Sequence, residues 1–120
     1  MRLKCRYLIG ILEIDKAQLS KPLRDGDVLK EIRNQLEVCF GLTAIGHEHS
    51  LLQFIAFNVE SGLFCLRCGR DWSNAVMVTL IYTKSICKAN ASFRFLETVS
   101  TEERGKEAFR RHLSLLPSSS

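Results

Sequence analysis

Apolar residues in this chain switch between strand and helix spacing several times, and the order of those switches restricts the fold more than any single motif does. From residue 2 to 13 they alternate. Arg2, Lys4 and Arg6 fall on one side, and Leu3, Cys5, Tyr7, Ile9 and Ile11 on the other, the period of a half-buried strand. Past Arg6 the first side turns apolar as well, at Leu8 and Leu12, which predicts a central strand. Residues 16–26 read as a loop, with Pro22 and Gly26 as breakers. Val28, Leu29, Ile32, Leu36, Cys39 and Phe40 then recur at helical spacing, predicting an amphipathic helix capped near Asp27 and stopped by Gly41.

Residues 41–50 read as loop. Residues 51–59 and 63–68 are rich in aliphatic and aromatic side chains and flank Glu60-Ser61-Gly62, a turn, so they predict a hairpin. Asp71 or Ser73 can cap a second helix, with Ala75, Val76, Thr79 and Leu80 as its buried stripe. Met77, Val78 and Ile81 make that helix apolar on nearly every side, so it is expected to be covered on more than one. Residues 91–98 predict a fourth strand. Ser100-Thr101-Glu102-Glu103 reads as a capping box opening a third helix, whose apolar face is Phe109, Leu113 and Leu116.

The order β-α-β-β-α-β plus a C-terminal helix predicts an α+β fold, a ferredoxin-like or RRM-like sandwich with two helices on one face of a four-stranded antiparallel sheet. The other sheet face is left for the last helix, a protein partner or RNA. Residues 1–116 are read as one RRM-like domain and 117–120, Pro-Ser-Ser-Ser, as a disordered tail.

At 120 residues and 46% hydrophobic, the chain has the material for one modest core. Its formal charge of +4 is mildly basic and favours an acidic partner without naming one. Five cysteines, scattered through apolar runs, argue against a secreted disulfide framework and for a reducing compartment. The basic start and the apolar run at residues 8–12 fall short of a signal sequence: Glu13 ends the run and no small-residue cleavage site follows. No stretch approaches the ~20 apolar residues of a membrane span, so no membrane partner is expected and the chain is read as soluble and intracellular.

Two clusters invite a metal. Cys65-x-x-Cys68 has no second pair, and on a strand residues three apart face opposite ways, which predicts packing rather than ligation. His47-Glu48-His49 has no third ligand nearby in sequence and reads as a polar loop; the remaining histidine, His112, lies on a basic helix end. No metal or other cofactor is expected. Nucleophile elbows, P-loops and dinucleotide fingerprints are missing. So is the Gly-rich loop after the first strand that would resemble acylphosphatase.

Cations form the more informative pattern. Arg2, Lys4 and Arg6 share a strand face with no nearby carboxylate in sequence. Arg67 and Arg70 flank the end of the third strand, and Arg104, Lys106, Arg110 and Arg111 line the last helix. Such clusters suit phosphates, because each phosphate neutralised releases counterions. On the last helix the spacing also predicts internal pairing, Glu102 with Lys106 and Glu107 with Arg111. The third strand lacks the aromatic motif on which a standard RRM stacks bases, so backbone and shape are the expected targets of any RNA contact.

The residues themselves go further. Met1-Arg2-Leu3-Lys4-Cys5-Arg6-Tyr7-Leu8 resembles the opening of the Pop-five class of ribonuclease P/MRP subunits, and Asn58-Val59-Glu60-Ser61-Gly62-Leu63-Phe64-Cys65-Leu66-Arg67-Cys68 resembles that family's hairpin. Val76, Leu80, Phe93 and Leu96 fit at family spacing. The resemblance implies a non-catalytic subunit that binds and stabilises a catalytic RNA, in ribonuclease P for removal of tRNA 5′ leaders or in ribonuclease MRP for rRNA processing. Its implied partners are that RNA, precursor tRNA within the complex, and sister protein subunits; its implied location is the nucleus and nucleolus. By the same resemblance Arg2, Lys4, Arg6 and Arg67 would contact RNA phosphates and Tyr7 would brace them; Arg70 joins them on charge and position. Relatives often carry Gly-Thr-Ile-Arg before the last helix. Here Val99-Ser100-Thr101-Glu102-Glu103-Arg104 sets two carboxylates where a phosphate would sit, which speaks against an RNA contact there. The alternatives are a protein-only interaction module, using the apolar second helix and the open sheet face, and a small phosphoester or acyl-phosphate hydrolase.

Overall fold

The computed structural model describes residues 4–41 and 51–116. In chain order the elements are β1 (Cys5–Ile14), a 3-10 turn (Lys16–Gln18), α1 (Asp25–Phe40), β2 (Gln53–Phe57), β3 (Leu63–Gly69), a second 3-10 turn (Arg70–Trp72), α2 (Ser73–Tyr82), β4 (Ser85–Ile86), β5 (Ala89–Val99) and α3 (Glu102–Leu115). The sheet is antiparallel in the order β2-β3-β1-β5-β4, so β1 is central as expected. This is the ferredoxin-like, RRM-like α+β sandwich, with a fifth strand added at one edge.

Both faces of the sheet are covered. Leu8 and Leu12 of β1 and Phe64 and Leu66 of β3 pack with Val28, Ile32 and Leu36 of α1 and with Val76 and Leu80 of α2. Tyr7, Ile9 and Ile11, with Leu63 and Cys65, face the other way and pack under Ala108, Phe109, Leu113 and Leu116 of α3. Burial on two sides is why β1 reads as a continuous apolar run from Tyr7 to Leu12. Each fully buried Leu or Ile contributes about 1.5–3 kcal/mol relative to exposure. The face left open by the sequence thus belongs to α3.

Two β-bulges set which side chains reach which core. Ile9 pairs with Glu97 but Gly10 pairs with Phe95, so Leu96 is an extra residue in β5. Ahead of it Ala91, Phe93 and Phe95 face α1 and α2; beyond it Val99 packs on the α3 side and Glu97 bonds to α3. In β2, Phe54 pairs with Leu66 and Ala56 with Cys65, leaving Ile55 extra. That places Phe54 and Phe57 in one core despite their spacing.

Several boundaries differ from expectation. The added strand β4 pairs with β5 around Cys87 (φ 52°) and Lys88 (φ 69°), a tight turn with two positive φ values. Neither residue belongs to the usual Asn-Gly turn chemistry, and two residues carry no period. Helix α1 starts at Asp25 after Arg24, and its acidic Asp25 and Asp27 lie in the first turn rather than at the cap. Helix α2 has no side-chain cap; the Ser73 hydroxyl instead donates to Arg70 O at 3.0 Å, within the preceding 3-10 turn. The cap of α3 is Thr101, which accepts from Arg104 N; one residue past Ser100, this cap puts Arg104 where the reciprocal Glu would stand, so the expected capping box does not form. Gly41 ends α1 as predicted, in a positive-φ conformation (86°).

Candidate nucleic-acid interface

One end of the sheet gathers most of the expected cations. There β1 begins, β3 and β5 finish, and both α2 and α3 start: Cys5 pairs with Gly69 and Tyr7 with both Arg67 and Val99. Arg70 N donates to Lys4 O at 2.8 Å, which ties the start of β1 to the turn that leads into α2. Lys4 and Arg70 are therefore neighbours through the backbone. Arg6, two residues from Leu8, sits on the α1/α2 side of β1.

Lys4 is exposed and Arg6 half-buried, and among the described residues neither forms an ion pair with a carboxylate. The Arg6 guanidinium donates to Cys5 O at 3.1 Å, a bond to neutral backbone that leaves its charge uncompensated. Arg70 is 44% exposed and stands 3.6 Å from the carboxylate of Asp71, itself almost fully exposed. Exposed pairs of this kind are worth between nothing and about 1 kcal/mol, so a phosphate can compete for the guanidinium.

Arg67 and Tyr7 lie on the opposite face from Arg6. Arg67 Nε donates to Leu51 O and its terminal nitrogen to Gln53 Oε1, both at 2.9 Å, so this guanidinium also fastens the start of β2. Tyr7 is 8% exposed under α3, and burial holds its phenol above the ordinary value of 10. The structure thus brings Lys4, Arg6 and Arg70 together at one corner and sets Arg67 and Tyr7 around the rim from them. Arg2 and the His47-Glu48-His49 stretch lie outside the described residues.

Of the four cations on the last helix, Lys106 and Arg111 pair with carboxylates, while Arg104 and Arg110 form no ion pair among the described residues. Lys106 pairs with Glu102 at 3.6 Å, as its spacing predicts. Arg111 does not bond Glu107 as expected; together with His112 (2.6 Å) it holds Glu97 of β5. Those hydrogen bonds, His112 first, draw the Glu97 carboxyl below its ordinary range. Nothing in the local sequence links Glu97 to α3, because the bulge at Leu96 is what turns it that way.

Cys65 and Cys68 face opposite cores, as strand alternation requires. Burial, with a smaller effect of Glu102, pushes the Cys65 thiol up to about 11, so it stays protonated at neutral pH and serves packing. Among the described residues no group of His, Cys, Asp or Glu is arranged to hold a metal ion. No helix among them is long and apolar enough to cross a membrane.

Comparison with known proteins bears on this geometry. The model of the Rpp14/Pop5 family matches residues 6–110. The chain belongs to the Rpp14/Pop5 family. The family is one of ribonuclease P/MRP protein subunits, as the N-terminal and hairpin motifs imply. No curated protein sequence matches at a significant level. Among solved structures the chain is similar to one from the cryo-EM structure of yeast ribonuclease MRP, with a TM-score of 0.60 and 9% sequence identity, over 96% of this chain and 92% of that one. At that identity the likeness speaks for the shared fold. The family match spans Arg6, Tyr7, Arg67 and Arg70 and stops within α3.

Proposed function

We propose that this Rpp14/Pop5-family chain is a non-catalytic subunit that binds and stabilises the RNA of ribonuclease P or MRP through the end of its sheet where β1 begins. The observation that carries the reading is electrostatic: Lys4 and Arg6 keep their charge without a carboxylate partner among the described residues. Neighbouring cations without carboxylate partners repel one another and gain most from a polyanion. Arg70 and Arg67 extend the surface around the rim, Tyr7 braces β1 beneath α3, and Arg2 joins on the N-terminal motif. The RNA and its bound metal ions would then do the cutting, on precursor tRNA or rRNA, in the nucleus or nucleolus.

The apolar outer side of α2 supports a second contact, with sister protein subunits. Val78, Ile81 and Tyr82 are exposed there, Tyr82 to 71%. With the sheet face closed by α3, the rival reading of a protein-only module loses one of its two surfaces and keeps this one.

Affinity purification of the chain followed by sequencing of bound RNA tests the assignment. Recovery of ribonuclease P or MRP RNA, reduced when Lys4 and Arg6 are both replaced by alanine, is the expected result. A stable protein complex with no associated RNA in mild salt would leave only the interaction-module reading.

A further inference from the structure

We propose that Phe40, backed by Trp72, is a stacking surface for an unpaired RNA base whose phosphates lie on Lys4 and Arg70. This rests on the reading of this sheet end as RNA-binding and adds to it the form of RNA recognised, a single-stranded nucleotide rather than duplex backbone alone.

The usual place for such a contact is closed. RRM-type domains stack bases on the open face of the sheet. Here α3 lies across that face, with Gly105 and Ala108 buried against it. Any base stacking therefore has to occur elsewhere, and one exposed aromatic, Phe40, touches the 3-10 turn that carries Arg70. Phe40 is the last residue of α1 and is 42% exposed. Its ring meets that of Trp72 edge to face, with centroids 6.4 Å apart and an interplanar angle of 78°. That arrangement fixes the Phe40 ring without sandwiching it.

The cations are adjacent through a single turn. Trp72 closes the 3-10 turn that begins at Arg70, and Arg70 N is bonded to Lys4 O. Single-stranded nucleic acids are held by this combination, an aromatic face for the base and cations for the backbone. Asp71, the carboxylate paired with Arg70 among the described residues, is nearly fully exposed and can swing away. An acidic ligand without an aromatic base would satisfy the cations and leave Phe40 in water.

The sequence contains one tryptophan, so its emission reports on this corner alone. The full chain is titrated with a short single-stranded oligoadenylate at several salt concentrations. Saturable quenching of Trp72 emission is expected. Phe40→Ala should weaken binding about fivefold to a hundredfold at fixed salt, the range for loss of one base stack, while leaving the salt dependence unchanged. Phe40→Leu, which keeps an apolar side chain at the helix end, should do the same; it carries the test if the alanine variant misfolds. Phe40→Tyr should bind as the parent does. Binding by Phe40→Leu equal to the parent overturns the proposal, and loss of a sister protein subunit in that variant would give the surface to protein instead. Absence of quenching on saturable binding overturns it as well. The underlying RNA reading fails separately, if Lys4→Ala with Arg6→Ala leaves both affinity and salt dependence untouched.

Discussion

Gly105 of α3 lies directly over Tyr7 of β1: a Cβ at position 105 would stand 3.2 Å from Tyr7 Cβ and 3.0 Å from Cys65 Sγ. This contact lets the last helix rest flat on the sheet and close the face on which related folds display RNA-binding aromatics. Glycine inside a helix costs roughly 1 kcal/mol relative to alanine, so its presence there marks how tight the approach is.

Gly105→Ala should accordingly fail to stabilise the protein. The helix-propensity gain of about 1 kcal/mol is set against overpacking of about 1–3 kcal/mol on buried atoms that are anchored to two central strands. A net loss of up to about 2 kcal/mol is expected in urea unfolding, and a larger loss for Gly105→Val. A stabilised Gly105→Ala variant would mean that α3 does not sit as closely as described.

The hairpin turn offers a sharper case. Gly62 has φ +81°, and an added Cβ would lie 2.0 Å from Leu12 O, on the backbone of the central strand. Neither the dihedral nor the neighbour can yield cheaply. Gly62→Ala should destabilise by about 3 kcal/mol or more, combining about 1–2 kcal/mol of left-handed strain with the steric clash. Thermal melts that coincide with the parent would rule this out.

Acid should loosen α3 before it unfolds the sheet. The folded-state pKa of Glu97 lies below its ordinary 4.5, chiefly through its hydrogen bond to His112 and then that to Arg111. Protons therefore bind the unfolded state more readily across that window. The contribution is complete above the ordinary carboxylate value and disappears as pH falls through the depressed one. Hydrogen exchange in α3 should rise over that range in the parent, and Glu97→Gln should show the raised exchange already at neutral pH. Identical profiles for the two proteins would count against the anchor.

Two arginines should separate by role. Arg6→Ala is expected to lower the slope of log affinity against log salt for RNA by about one, the signature of a lost phosphate contact. Arg111→Ala, which removes a ligand of Glu97, should instead lower stability and leave that slope alone. The reverse pattern, measured by filter binding alongside denaturation, would move the RNA surface onto α3.

Much of this arrangement was written locally. The alternation that sets Arg6 and Leu8 against Tyr7 and Ile9 needs only the two-residue repeat of a strand, and it holds along β1. The opposite facing of Cys65 and Cys68 follows from the same repeat. Gly41 ends α1 because no other residue type accepts its positive φ as cheaply. The motif at the N-terminus and the hairpin around Gly62 were enough to point to the family.

Long-range register settled the rest. The extra residues Ile55 and Leu96 reverse the facing of their strands midway, and only pairing with β3 and β1 shows where. Through that reversal Glu97 meets α3 and takes Arg111 from its expected partner Glu107. Whether α3, a protein or RNA lies over the second sheet face was likewise undecided by the chain's own pattern. Local spacing dictates which side of an element is apolar; what covers that side depends on how closely distant backbones can approach, and here Gly105 admits α3.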